Sequence, residues 1–191
     1  MKNKYLLVID MQNDFIDAAL GTKEAQAIVP NVKQKIEEYK ARGDKIIFTR
    51  DTHQSDYLET MEGKKLPVEH CIKGTSGWEI SSELDTSVAD YIIDKPNFGY
   101  VEWVDYLSIF NVIEDEDDWT NSYLDEETPE SIEIVGLCTD ICVVSNALIL
   151  KALYPEVEIT VDASCCAGVT PESHKAALTT MKMCQINVIG E

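Results

Sequence analysis

Glu133-Ile134-Val135-Gly136-Leu137-Cys138-Thr139-Asp140-Ile141-Cys142-Val143 reads as a strand running straight into a helix. The apolar run closes on Gly136, Thr139-Asp140 make a short polar turn, and a long apolar, helix-forming stretch follows to Leu153. A short continuous apolar run suits a strand buried on both faces. A strand feeding a helix is the repeating unit of a parallel sheet. Cys142 stands where that helix begins. The start of a helix carries partial positive charge and favours thiolate, so the stretch that decides the fold also presents a candidate nucleophile.

The same unit recurs outward from this stretch. Apolar runs at residues 5–9, 45–49, 90–93, 131–135, 158–161 and 185–189 predict six strands. Between them, residues 31–42, 100–110, 141–153 and 171–183 predict helices. The first places Val32, Ile36 and Tyr39 on one stripe, with Pro30 near its start and Gly43 at its end. The last follows Thr170 as N-cap, with Pro171 at the first helical position. The alternation predicts a three-layer α/β/α, Rossmann-like domain over residues 1–191, with a mostly parallel six-stranded sheet. One segment breaks the pattern: an acidic insertion at about 113–130, with Glu114-Asp115-Glu116-Asp117-Asp118 and Asp125-Glu126-Glu127. It reads as a solvated loop, because it lacks the ligand spacing and glycine of an EF-hand.

Composition narrows the function classes. A chain of 191 residues is long enough for a sizeable core. A formal net charge of −19 argues against nucleic acid and anionic membrane surfaces as partners. No apolar run approaches the roughly 20 residues of a membrane helix. The apolar run after Met1 is short, ends at Asp10 and is followed by no small-residue cleavage site, so a first strand and a cytoplasmic protein are expected. The six cysteines are expected to be free thiols.

In open parallel sheets ligands bind beyond the carboxyl ends of the strands. Asp10 follows the first predicted strand, Asp51 and His53 the second, Lys95 the third, and Cys142 the fourth. A turn Asp is ordinarily a cap and a lysine past a strand is ordinarily solvated. An acid, a metal-ligand pair, a cation and a thiol on one sheet edge are harder to explain as turn chemistry.

Five stretches carry a family resemblance: Val8 to Phe15, Thr49-Arg50-Asp51-Thr52-His53, Leu66 to Cys71, Lys95-Pro96-Asn97-Phe98, and Gly136 to Val143. The chain resembles the isochorismatase-like cysteine hydrolases, and within them the nicotinamidases. The resemblance implies a catalytic triad of Asp10, Lys95 and Cys142, with Lys95 and the helix start lowering the thiol pKa and Asp10 carrying the proton. It implies an oxyanion hole from the backbone amides of Cys138 and Cys142, and a cis peptide at Leu137–Cys138.

One carboxylate and two imidazoles at Asp51, His53 and His70 suit one divalent metal: zinc first, with iron or manganese as alternatives. Some nicotinamidases add an acidic ligand, which matches Glu62, with Glu59 as the alternative. Phe15 and Phe98 match the aromatic walls of the substrate site, and Trp78 and Trp103 are further candidates. His174 reads as structural. The resemblance implies conversion of nicotinamide and water to nicotinate and ammonia through a thioester, in NAD salvage, by a homodimer or homotetramer. The rivals are a cysteine hydrolase acting on another small amide or ureido compound, and a non-catalytic metal-binding scaffold.

Overall fold

The computed structural model describes residues 3–107 and 128–191. Its sheet has six parallel strands: β1 (Lys4–Ile9), β2 (Lys45–Asp51), β3 (Tyr91–Lys95), β4 (Ser131–Leu137), β5 (Glu158–Ala167) and β6 (Asn187–Ile189). The order across the sheet is β3-β2-β1-β4-β5-β6, so the chain reverses direction across the sheet between β1 and β4. Register sets Val8 beside Phe48 and Val135, and Asp51 beside Lys95.

Among the described residues four α-helices connect the strands: α1 (Asn13–Ile16), α2 (Lys23–Arg42), α3 (Val144–Leu153) and α4 (Pro171–Met183). Successive side chains of β1 point to opposite faces, and both faces are apolar. Leu6 and Val8, with Ile46, Phe48 and Val135, pack under Ile28, Val32 and Ile36 of α2. Leu7 and Ile9, with Ile47 and Ile134, pack under Ala147 and Leu150 of α3 and Leu178 and Met181 of α4. This two-sided burial is why the strands read as continuous apolar runs. Among the described residues no helix is long and apolar enough to cross a membrane.

Two helix expectations are corrected. The helix expected at 31–42 begins at Lys23, capped by Thr22, whose side chain accepts from the Ala25 amide. Pro30 lies inside it rather than near its start. An internal proline costs about 3 kcal/mol, and the burial of Ala25, Ile28 and Val29 on the stripe of Val32, Ile36 and Tyr39 offsets it. The C-terminus falls as expected, with Gly43 at φ 71° closing the last turn. The helix expected at 100–110 is a single 3₁₀ turn, Trp103–Asp105, within its described part. There the Tyr100 amide and Trp103 Nε1 both donate to the Asn146 side chain, so tertiary bonds replace the helical ladder. Residues 113–127 of the acidic insertion lie outside the described residues.

The junction of β4 and α3 is irregular. Gly136 has φ 118°, and a Cβ there would meet the Ile9 carbonyl oxygen at 2.1 Å. Only glycine lets β4 approach β1 so closely at this point. The Leu137–Cys138 peptide is cis. A π-helical turn, Thr139–Val143, then carries the chain into α3.

Candidate active site

Asp10, Asp51, Lys95 and Cys142 meet at the carboxyl end of the sheet, at the β1/β4 switch point where the strand order places a crevice. All four are buried. Lys95 Nζ is the hub. It lies 2.6 Å from Asp10 Oδ2, 3.4 Å from Asp51 Oδ1 and 3.6 Å from Cys142 Sγ, and donates to the Asn97 carbonyl at 3.0 Å. Asp10, at φ 47°, turns the chain off the end of β1. Its Oδ1 accepts from the Thr49 hydroxyl at 2.6 Å, while its own amide donates to Thr49 Oγ1 at 3.2 Å.

Burial governs the protonation of this group. It would lower the Lys95 ammonium, but Asp10, Cys142 and Asp51 outweigh it and hold that pKa above its ordinary value. Burial raises Asp10, and Lys95 only partly reverses this. Burial also pushes the Cys142 thiol well above its ordinary value. Lys95 pulls it down, while Asp10 and Asp51 push it up. Lys95 thus acts on the sulfur in the expected direction, but burial outweighs it and the net shift is upward. Desolvation of a buried sulfur exceeds what one shared ammonium returns.

Cys142 sits in the first turn of its helix, where amides have no intrahelical acceptor. Cys138 opens the same turn, and its carbonyl accepts from the Ile141 and Val143 amides. Burial pushes the Cys138 thiol up to about 12. Asn146, fully buried one turn further on, holds the assembly together. Its Nδ2 donates to the carbonyls of Cys142 (2.8 Å) and Phe98 (3.0 Å), and its Oδ1 accepts from the Tyr100 amide and Trp103 Nε1. On the far side, His174 Nδ1 pairs with the Thr139 hydroxyl at 2.8 Å, and Asp140 accepts from the Val169 amide and the Ser173 hydroxyl.

A second cluster adjoins the first through Asp51. His53 Nε2 lies 3.1 Å from Asp51 Oδ2 and 3.5 Å from Glu62 Oε1; His70 Nε2 lies 3.9 and 3.8 Å from the same two oxygens. One ligand atom from each of the four residues falls within 4.8 Å of every other. Asp51 Oδ2, His53 Nε2 and Glu62 Oε1 are buried and accept or donate no hydrogen bond. Tetrahedral ligands about 2.0–2.1 Å from zinc stand about 3.3 Å apart, so the residues fit one divalent ion with modest adjustment. His70 Nδ1 donates to the Val68 carbonyl at 2.8 Å, which leaves Nε2 as the free lone pair facing the cluster. Burial would lower His53, but the Asp51 and Glu62 carboxylates outweigh it and hold its pKa up. The cluster attracts positive charge. Glu59, the alternative to Glu62, is not part of it.

Both clusters open into one cavity of about 570 Å³. Asp51, Glu62, His70, Cys138 and Cys142 line it, with Phe15 and Phe98. The Phe15 and His70 rings lie 5.5 Å apart. Trp78 and Trp103 are not among its lining residues. Trp78 stacks on Arg50 and donates to Thr52, and Trp103 is committed to Asn146.

Four positioning side chains lay beyond sequence reasoning. Thr49 aligns Asp10. Gln12 grips the Asp51 backbone through both its amide and its carbonyl (2.9 and 2.7 Å). Asp14 accepts from the Cys71 amide at 2.7 Å and so fixes the loop carrying His70. Asn146 is the fourth. Gln12 and Asp14 fall inside the quoted Val8–Phe15 stretch, which was the available signal. Thr49 opens the quoted Thr49–His53 stretch in the same way, and Asn146 had no such signal.

The isochorismatase domain family matches residues 4–190. A nicotinamidase of Schizosaccharomyces pombe is 26% identical over 211 residues, covering 97% of this chain and 92% of the relative. An Arabidopsis thaliana protein named a probable inactive nicotinamidase is 32% identical over 190 residues, covering 95% and 89%. Among solved structures, a pyrazinamidase of Pyrococcus horikoshii in complex with zinc superposes with a TM-score of 0.74 at 24% identity, over 99% of both chains.

Proposed function

The chain belongs to the isochorismatase family, and we propose that within it this protein is a metal-dependent nicotinamidase. The observation that carries the reading is Lys95 Nζ, within 3.6 Å of a thiol and 3.4 Å of a carboxylate that belongs to a four-residue metal cluster. An amide nucleophile and a site for a ring nitrogen thus face one cavity. The nicotinamidase relatives support the same reaction class.

The steps follow from the residues. Asp10 takes the Cys142 proton and the sulfur attacks the carboxamide carbon. The oxyanion that forms is met by the backbone amides of Cys138 and Cys142. Asp10 returns the proton to the departing nitrogen, the C–N bond breaks, and ammonia leaves a thioester on Cys142. Asp10 then accepts a proton from water as it attacks the thioester, releasing nicotinate and restoring the thiol. Lys95 balances the negative charge that moves between Asp10 and the sulfur. Phe15 and Phe98 wall the ring. A divalent metal held by Asp51, His53, Glu62 and His70 would supply a Lewis-acidic site for the pyridine nitrogen. Zinc is our first assignment, as in the P. horikoshii relative. A cytoplasmic place in NAD salvage and a homodimeric or homotetrameric assembly complete the reading.

The test is ammonia release from nicotinamide by metal-loaded protein, with Cys142→Ala alongside. No release would remove the amidase reading, including the contrast with the relative named as inactive. Release surviving Cys142→Ala would remove the mechanism. Turnover indifferent to chelation, in protein without metal by elemental analysis, would leave a hydrolase and remove the ring-nitrogen argument.

A further inference from the structure

The cavity is larger than a single ring requires. A dry cavity of about 150 Å³ holds benzene, whereas this one measures about 570 Å³. Its acids, imidazole and thiol gather at one end, at Asp51, Glu62, His70 and Cys142. Its outer wall is mainly apolar and exposed, with Lys65 beside Met61, Leu66, Phe98 and Val169, which are 70, 37, 41 and 53% accessible. Large apolar side chains exposed singly need no explanation, but a set gathered round one opening marks a binding surface. These four share the reaction chamber rather than a separate face. A group attached to the substrate is therefore the occupant that reaches them.

Which ring position carries that group follows from the proposed nicotinamidase geometry, on which this inference rests. With the ring nitrogen at the metal cluster and the carboxamide at Cys142, ring carbon 2 lies between the two anchors. Carbons 4 and 6 each neighbour one anchor. Carbon 5 is opposite carbon 2 and faces the remaining volume. We propose that the substrate this site is shaped for is a pyridine-3-carboxamide with an apolar substituent on ring carbon 5, and that Met61, Leu66, Phe98 and Val169 form the subsite for that substituent. Lys65 is the one cation on the outer wall among the described lining residues, which makes an anionic substituent the natural competitor.

The experiment compares kcat/KM for nicotinamide, 5-butylnicotinamide and 5-carboxynicotinamide on the full-length, metal-loaded protein. Calorimetric binding of nicotinate and 5-butylnicotinate to Cys142→Ala provides a readout independent of turnover. The butyl compound should be preferred by about tenfold in both, since each buried methylene strengthens binding severalfold. Met61→Ser and Val169→Ser should each reduce that preference at least threefold. Val169 is far in sequence from Glu62, so its variant separates the subsite from disturbance of the metal cluster. Good turnover of nicotinamide with rejection of the butyl compound overturns this inference and leaves the nicotinamidase reading intact. Failure of all three amides overturns both. A preference for 5-carboxynicotinamide overturns the apolar subsite in favour of Lys65. A butyl preference untouched by both serine variants overturns the assignment of the wall.

Discussion

Asn146 and the Asp51–His53–Glu62–His70 cluster are both buried and polar, and both adjoin the nucleophile's surroundings. They are built in opposite ways. Asn146 uses its whole capacity on this chain, two bonds accepted and two donated, all between 2.8 and 3.0 Å. The cluster leaves three buried atoms without a hydrogen bond and crowds two carboxylates against two imidazoles. A polar group that serves the fold closes on itself, because an unmet buried donor or acceptor costs about 1–3 kcal/mol. A set left open at that cost is waiting for a ligand that the chain does not supply.

The largest expected effect bears on neither set directly. Cys142→Ala should lower nicotinamide turnover by about 10⁴-fold or more while leaving bound metal and thermal midpoint nearly unchanged. If metal is lost with the sulfur, the open cluster is not independent of the nucleophile. Next comes the open set itself. Wild-type protein should gain about 2.7 kcal/mol of stability at zinc concentrations 100-fold above Kd, and His53→Ala with His70→Ala should abolish that gain in thermal denaturation. The closed set should answer differently. Asn146→Ala should cost about 2–4 kcal/mol in urea unfolding, by orphaning donors and carbonyls at once, with the zinc response retained. A zinc response lost in Asn146→Ala would erase the distinction between the two.

The smallest effect concerns a third polar group that is also closed. Lys35 Nζ lies 2.7 Å from Glu133 and 2.9 Å from Asp162, and Asp162 accepts from the Ser164 hydroxyl and amide. Burial would raise Asp162, but Ser164 and Lys35 outweigh it and hold the carboxyl below its ordinary value. A depressed folded pKa means that the unfolded chain binds the proton more tightly, so this stability is present above the ordinary carboxylate range and fades as pH falls through the folded value. Stability measured against pH should therefore decline less steeply below about pH 4 in Asp162→Asn than in wild type. An unchanged slope would show that the carboxylate's partners add nothing.

Much of this was legible in the chain. Strand period and the rule that ligands sit past strand ends drew attention to Asp10, Asp51, His53, Lys95 and Cys142 before any coordinates, and the structure brings their side chains to one place. Pro30 misled because a breaker at the edge of a stripe looks like a start, although the stripe continues through it to Ala25. The 100–110 stretch misled because its pattern fits a helix, while its amide and indole donors are claimed by Asn146. Thr49 lay in a quoted stretch, but its role depends on Asp10, 39 positions away, and three of the four bonds of Asn146 reach partners 43 or more positions away.

The sequence by itself determined the parallel α/β architecture, the strand ends and the chemical types gathered there, since periodicity and turn chemistry are local. Only the tertiary structure decided the burial of Cys142 and its distance from Lys95, the membership of Glu62 rather than Glu59 in the cluster, and which buried atoms are paired. Those depend on burial and on distances summed over elements far apart in the chain, and no local pattern carries them.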